Sequence, residues 1–346
     1  MKAVVYYERA PEAIELRDVP VPTPGPDECL VRVKYCGICG SELHMYKGQL
    51  NVLARPPVIL GHEWSGEIVE VGERVQGFAP GDRVVSETAA HTCGICDFCR
   101  EGAYNLCPER QAFGFAVDGA FTQYVRVRSA LLHHIPEGVS YEAATMSEPI
   151  CVAYNAVVEK SNLNPGEIVV IIGPGPVGLF CLQVARLAGA GTIVVTGTDR
   201  DAARLALARE LGADITVDVT QEDPVEVVAG LGDGHGAHLV IDAAGVPPAI
   251  QQSLDVVRRN GQITKLGWSL RSFNGTLDEI VAKAVTYQGA FSHTWKTWET
   301  VLELLRLGRI ETEPLISEVW PITRWEEAFA KLESLEAHKI LLCPVD

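Results

Sequence analysis

The sequence predicts an α/β protein in which a parallel-sheet domain is inserted between two parts of a β-rich one. Two observations predict this. Through the first 150 residues, short β-like runs are broken by Gly and Pro. Near Asn164-Pro165-Gly166 the pattern changes to strands that alternate with helices. The 346 residues suffice for two domains with cores of their own. Apolar residues at 47% and charged residues at 21% are ordinary for a folded soluble protein.

The early runs are AVVYY, CLVRVKYCG, WSGEIVEVG, GDRVV and FTQYVRV. Their β-branched and aromatic content at this spacing predicts an irregular, mostly antiparallel β domain. After Gly166, GEIVVIIG reads as a strand, VGLFCLQVARLAG as a helix, TIVVT as a strand and AARLALARELG as a helix. HLVIDAAG, the helical PAIQQSLDVVRRN and the strand GQITKLG continue the alternation. Such alternation predicts βαβ units and a parallel sheet. Helices near TWETVLELLRLG and RWEEAFAKLE follow, and KILLCPV closes the chain as a strand.

No internal repeat or low-complexity tract interrupts this plan, and no run of eighteen apolar residues spans a membrane. The start MKAVVYYERAPE lacks the apolar stretch of a signal peptide, so the cytoplasm is the expected location. A net charge of −16 argues against phosphate-rich partners such as DNA. No nucleic acid and no membrane is expected as a partner.

Four of the ten cysteines, Cys93, Cys96, Cys99 and Cys107, fall within fifteen residues. Four thiolates close a tetrahedral shell around Zn²⁺ and leave no open position, so this cluster reads as a structural zinc site rather than two disulfides. Cys29, Cys36, Cys39, Cys151, Cys181 and Cys343 are scattered, most in apolar surroundings typical of core thiols.

GEIVVIIG runs into Gly173-Pro-Gly175-Pro176-Val177-Gly178, and a helix follows. Buried strand, tight turn and helix start are the context in which Gly-x-Gly-x-x-Gly binds a dinucleotide. Gly173 permits the turn, Gly175 lets backbone approach the pyrophosphate, and Gly178 lets helix and strand pack closely. Helix-start N–H groups then face the phosphates. The acidic residue that binds the ribose 2′-hydroxyl is Asp199 when counted back from Gly212; counted forward from Gly191, the position is Gly197. Asp199 favours NAD, with a helix N-cap as its plainer role, whereas Arg200 or Arg204 would accept the 2′-phosphate of NADP. NAD is the expected nucleotide, with NADP as the alternative.

A second ligand set lies in Cys36-Gly-Ile-Cys39-Gly-Ser41-Glu42-Leu-His44 and in Gly61-His62-Glu63. Cys39, His62 and a carboxylate are zinc ligands of permitted types, and three of them leave a fourth position open for chemistry. The carboxylate is Glu63 or Glu148; Glu148 stands just before the nucleotide-binding region, placed to join the site at a domain cleft.

These motifs resemble the zinc-dependent medium-chain dehydrogenase/reductase family over the whole length. The matching residues are Cys39-Gly-Ser41, Gly61-His62-Glu63-x-x-Gly66, Pro80-Gly81-Asp82-Arg83-Val84, the four-cysteine lobe and Gly173-x-Gly175-x-x-Gly178. The resemblance implies a GroES-like β-rich catalytic domain over 1–150 with its zinc lobe at about 91–108. It implies an inserted doubly wound Rossmann domain over 151–290, and a segment 291–346 that completes the first domain. It implies that Cys39, His62 and Glu63 ligate a catalytic zinc, with Glu148 in the remaining position, directly or through water. A glutamate there, and Tyr104-Asn105-Leu106-Cys107-Pro108, resemble the sorbitol/polyol branch; the threonine dehydrogenase branch shares the glutamate. Glu42 stands where the family usually has aspartate, in a position that orients the zinc site.

The implied reaction is reversible oxidation of a secondary alcohol to a ketone, with zinc as Lewis acid and hydride passing to the nicotinamide. Ser41 is placed to take the hydroxyl proton and His44 to relay it to solvent, a turn hydroxyl and a surface histidine being the plainer roles. Lys339 matches a basic position near the cofactor pyrophosphate, a solvated surface lysine being the other reading. Ala244 in Val240-Ile-Asp242-Ala-Ala244-Gly245 resembles the strand end lining the cofactor cleft, and Leu266 and Phe291 the segments flanking the nicotinamide. Trp295 and Trp298 read as core or interface, and His133-His134 as decoration of a strand end. An amino-alcohol dehydrogenase of the threonine type and a non-catalytic nucleotide sensor are the competing functions. Two zinc ions per chain, a small-molecule alcohol substrate and a homodimer or homotetramer complete the expectation.

Overall fold

The run Ile168–Ile172 has five apolar residues in succession, and all are buried. A strand covered on both faces by helices needs that composition. The computed structural model describes residues 1–49 and 54–345. It places this strand inside a six-stranded sheet, beside Thr192–Gly197 on one side and Ala237–Asp242 on the other. Ile215–Asp218 flanks the first neighbour; Val257–Lys265 and then Thr286–Gly289 follow the second. Every pairing is parallel. Counted from Ile168 in chain order, the strands run 3-2-1-4-5-6, the doubly wound order of a dinucleotide-binding fold.

Helices Pro176–Leu187, Ala202–Glu210, Pro224–Ala229 and Pro247–Val256 connect these strands. Three begin at or beside proline, whose fixed φ suits a first turn. One expectation is corrected here. Residues Val257–Asn260 were read as the end of a helix and belong to the strand Val257–Lys265. Two β-branched valines at the junction favour the extended state once pairing is available.

The other sheet has seven strands. Ile316–Pro321, Lys339–Cys343, Glu28–Gly37, Glu63–Val71, Arg83–Ser86 and Leu132–His134 lie in that order, and Tyr124–Arg128 also pairs with Glu28–Gly37. All pairings but the one joining Ile316–Pro321 to Lys339–Cys343 are antiparallel. Lys2–Tyr6 pairs separately with Ile14–Asp18 and Val58–Ile59. Helix Trp325–Glu333 buries Trp325 and Phe329, whose rings meet Tyr46 edge-on at 5.9 and 5.8 Å. Such edge-to-face pairs add about 0.5–1.5 kcal/mol beyond burial.

The chain divides into two units: residues 1–148, 293–308 and 312–346 form one, and residues 149–292 and 309–311 the other. No helix among the described residues is long and apolar enough to cross a membrane.

Candidate functional site

The strand Glu28–Gly37 delivers Cys39 to the N-cap of helix Gly40–Tyr46. Glu42, fully buried in the first turn, accepts the Cys39 backbone N–H through Oε2 at 2.9 Å. Its Oε1 lies 2.7 Å from His62 Nδ1. An ionised carboxylate only accepts, so Nδ1 carries a proton and Nε2 is the nitrogen left for a metal. Glu42 thereby sets both the tautomer and the ring orientation of a prospective ligand. Its two carboxylate oxygens thus serve one partner each.

Antiparallel pairing of Gly37 with Glu63 and Cys36 with Trp64 brings His62 and Glu63 alongside Cys39. Donor atoms of Cys39, His62 and Glu63 all lie within 4.8 Å of one another. Thiolate, imidazole and carboxylate at this spacing suit zinc, and three donors leave a position open. Burial pushes the His62 pKa down, but the negative charge of Glu42 and contact with Cys39 outweigh it and hold the imidazole well above its usual range. Cys36 is a core thiol, pushed far up by burial.

Lys339 is buried within the first unit. Strand Lys339–Cys343 pairs Leu341 with Gly37, and the Lys339 ammonium forms a buried ion pair with Glu63. A Cβ on Gly37 would stand 2.5 Å from Glu63 Oε2 and 2.9 Å from Lys339 Cε, so glycine makes the space for this pair. The solvated-surface reading is overturned by burial. The Lys339 ammonium is engaged by a carboxylate of the three-donor cluster. Burial raises the Glu63 pKa; Lys339 opposes that rise without cancelling it.

Glu148 is not among the three clustered donors. It is buried, and its Oε1 lies 3.2 Å from His293 Nε2. Burial pushes its pKa up, but the His293 hydrogen bond and the nearby charges of His62 and Lys339 prevail and lower it. Ser41 Oγ stands 3.4 Å from Glu42 Oε2. His44 is exposed, with Nδ1 2.6 Å from Gln49 Oε1. No hydrogen bond among the described residues joins Ser41 to His44, so the expected relay is not preassembled.

In the cysteine lobe, Cys93 Sγ lies 3.9 Å from Cys99 Sγ and 3.6 Å from Cys107 Sγ. These separations exclude S–S bonds of about 2.05 Å, and all ten cysteines are free. Cys96 N–H donates to Cys93 Sγ at 3.4 Å, and such backbone N–H contacts lower the Cys93 thiol to about 7. The donor set fits a closed zinc shell. Beside the lobe, Tyr104 donates to Glu87 at 2.6 Å.

In the other unit, Gly173 takes φ +97, which favours glycine, and a Cβ there would lie 2.9 Å from Ala244 Cβ. Gly178 comes closer still: its Cβ would lie 2.0 Å from the Gly173 carbonyl oxygen. Gly175 is the N-cap of Pro176–Leu187, with Pro176 and Val177 in its first turn. The structure thus brings Gly173, Gly175, Pro176, Val177, Gly178 and Ala244 together. Asp242 accepts the Gly245 N–H at 2.6 Å, and Lys265 bonds Asp242 at 3.1 Å, which shapes the strand end beside Ala244. The Leu266 N–H donates to the Asp242 carbonyl at 3.1 Å. Phe291, partly exposed, has its ring 6.1 Å from that of Trp268.

The second strand ends at Gly197, where a Cβ would meet Pro174 Cγ at 3.0 Å and Asp201 Cβ at 3.1 Å. Any side chain there would have to push Pro174 or Asp201 back by a few tenths of an ångström. Asp199, two residues on, is exposed and opens a short 3₁₀ turn. The N-cap is Thr198 rather than Asp199, because Asp201 closes the capping box by accepting from the Thr198 N–H at 3.0 Å. Arg204 stands 3.8 Å from Asp201 and is mostly buried, whereas Arg200 is exposed.

Sequence reasoning missed His293, whose single ring follows Ser292 with no ligand-like spacing. It also undervalued His133, which is fully buried, stacked on Trp298 at 5.5 Å, and 2.5 Å from Glu299. Trp298 is core as expected, and Trp295 is exposed.

The profile of the alcohol dehydrogenase GroES-like domain matches residues 25–137, and that of the zinc-binding dehydrogenase matches residues 176–306. The chain is 40% identical over 347 residues to a sorbitol dehydrogenase of Halalkalibacterium halodurans, covering 100% of both chains. It is 39% identical to D-arabitol-phosphate dehydrogenase of Enterococcus avium, covering 99% of this chain and 97% of that one. Among solved structures, a protein of Sinorhizobium meliloti 1021 assigned as a zinc-binding dehydrogenase and bound to NADP superposes with a TM-score of 0.91. It is 32% identical, and the match covers 99% of each chain. Full-length likeness at this identity, on a fold that pairs a GroES-like sheet with a Rossmann-type one, makes this chain a member of the zinc-binding alcohol dehydrogenase family.

Proposed function

We propose that this zinc-dependent, NAD(P)-linked dehydrogenase oxidises a secondary hydroxyl of a polyol or polyol phosphate to a ketone, reversibly. The observation that carries the reading is the three-donor cluster of Cys39, His62 and Glu63 with one position open. The full-length likeness to a sorbitol and an arabitol-phosphate dehydrogenase supports the substrate class. Bound there, zinc supplies Lewis acidity to a substrate oxygen. Glu42 fixes His62, and Lys339 offsets the charge of Glu63. Glu148 contributes a carboxylate beside the cluster, and Ser41 is the acceptor of the hydroxyl proton. In the second unit, the turn from Gly173 to Gly178 presents helix-start N–H groups to a pyrophosphate. Asp199 is the exposed carboxylate for the ribose 2′-hydroxyl, with Arg200 available to a 2′-phosphate.

Initial rates followed at the reduced-nicotinamide absorbance test this. The panel is sorbitol, arabitol, their phosphates and L-threonine, each with NAD and NADP. A polyol or its phosphate is expected to lead L-threonine at least tenfold in kcat/KM. Cys39→Ser is expected to abolish that turnover and leave nucleotide binding intact. A lead for L-threonine, or no turnover by zinc-loaded protein, overturns the reading.

The family chemistry needs reduced thiols, and the ten free cysteines suit the cytoplasm; fractionation of source cells checks that. The proposed assembly is a homo-oligomer. Thr286–Gly289 is the edge of its sheet, and Trp268, Leu270, Leu277 and Val281 of the same unit are exposed. An open edge with exposed apolar side chains is a surface that a second copy covers.

A further inference from the structure

We infer that His293 is the positioning residue for Glu148: an uncharged imidazole, held in one tautomer by Trp298, that fixes the carboxylate through a single donated hydrogen bond. The inference rests on the metal-site reading above and not on any choice of substrate.

The tautomer follows from donor arithmetic. An indole N–H donates and never accepts. Trp298 Nε1 lies 2.7 Å from His293 Nδ1, so Nδ1 is the acceptor and carries no proton. The ring proton of a neutral imidazole is then on Nε2. Two acceptors face it: Glu148 Oε1 at 3.2 Å and Thr88 Oγ1 at 3.5 Å. The shorter contact goes to the carboxylate. Thr88 Oγ1 already accepts from Arg110 at 2.9 Å, which leaves it the poorer partner for a second donor. His293 Nε2–H therefore donates to Glu148 Oε1.

Every part of this arrangement is fixed. His293 is 2% exposed, Trp298 1% and Glu148 8%. The indole meets the His293 ring edge-on at 5.2 Å, and its other contact is the stacked His133. Trp298 is the fourth residue of helix Trp295–Arg306, whose N-cap is Thr294. The residue before His293, Ser292, has φ +57, a left-handed backbone that serine seldom adopts. The consequence is electrostatic. A protonated imidazole would cancel the charge of Glu148. A neutral donor orients one oxygen and leaves the carboxylate anionic beside Cys39, His62 and Glu63.

Three variants test this: His293→Leu removes the donor, His293→Gln offers an amide N–H in its place, and Trp298→Phe releases Nδ1. Zinc affinity of the purified enzyme, by competition with a chelator, is read together with kcat and KM. His293→Leu is expected to lower kcat or zinc affinity about 10–100-fold, the usual loss on removing an outer partner of a metal site. His293→Gln recovers most of it. Glu148→Gln/His293→Leu is no worse than Glu148→Gln alone, because both substitutions remove one interaction. Spectra of ¹⁵N-histidine-labelled protein are expected to show His293 with a bare Nδ1 and to lose that signature in Trp298→Phe. Losses that multiply in the double variant, a His293→Gln as poor as His293→Leu, or a protonated Nδ1 in the wild type overturn the inference. Zinc affinity and the spectra need no substrate, so they remain decisive even if the polyol reading fails.

Discussion

At the scale of single residues, the site contains a buried ion pair. Lys339 and Glu63 are 3% and 1% exposed in their side chains and meet as an ion pair. Removing one member strands the other, at a cost of about 3–5 kcal/mol. Lys339→Met is therefore expected to lower the denaturant midpoint strongly, and adding Glu63→Gln to recover at least half the loss. Equal stability of the single and double variants would show that packing, not charge, matters there. Cys39 and His62 were legible in the sequence as candidate donors because zinc accepts few donor types, whereas the choice between Glu63 and Glu148 was not. Lys339 was not: nothing in its local sequence reveals that the missing side chain of Gly37, some three hundred residues earlier, opens space for an ammonium. His293 was hidden for a similar reason. Its meaning lies in Trp298 and Glu148, and only folding brings Glu148 near.

At the scale of elements, strand Ile168–Ile172 and the glycine turn announced themselves by composition, since a doubly covered strand must be apolar and a turn against a phosphate must be bare. Short edge elements did not. Thr286–Gly289 is four residues long and exposed or half-buried throughout, so it carries no hydrophobic signal. Its place in the sheet comes from pairing with Val257–Lys265. Thr286–Gly289 has no neighbour on its far side among the described residues. Light scattering is expected to show an oligomer, and Leu277→Glu with Val281→Glu to reduce its mass. An unchanged mass, or a monomeric wild type, removes this face as the interface.

At the scale of the whole molecule, the first unit is assembled from three separate stretches of chain, with the second formed mainly by what lies between them. The two candidate zinc groups, Cys39-His62-Glu63 and Cys93-Cys96-Cys99-Cys107, both belong to the first unit. Elemental analysis is expected to give two zinc ions per chain, as the two donor groups require. Cys96→Ser is expected to lose one zinc and lower the melting temperature, while retaining the metal at Cys39. Loss of both metals together would mean that the lobe and the reactive cluster are not independent.

The amino-acid order alone determined the alternation that makes a parallel sheet, the glycine turn, and both sets of metal-binding residue types. Each of these is a local pattern, written in neighbours a few positions apart. Tertiary structure alone decided which carboxylate stands with Cys39 and His62, that Lys339 pairs with Glu63, that Gly197 is crowded by Pro174 and Asp201, and that the Trp298 indole meets His293. These depend on distances between residues remote in the chain, which strand register and burial create and which no local pattern encodes.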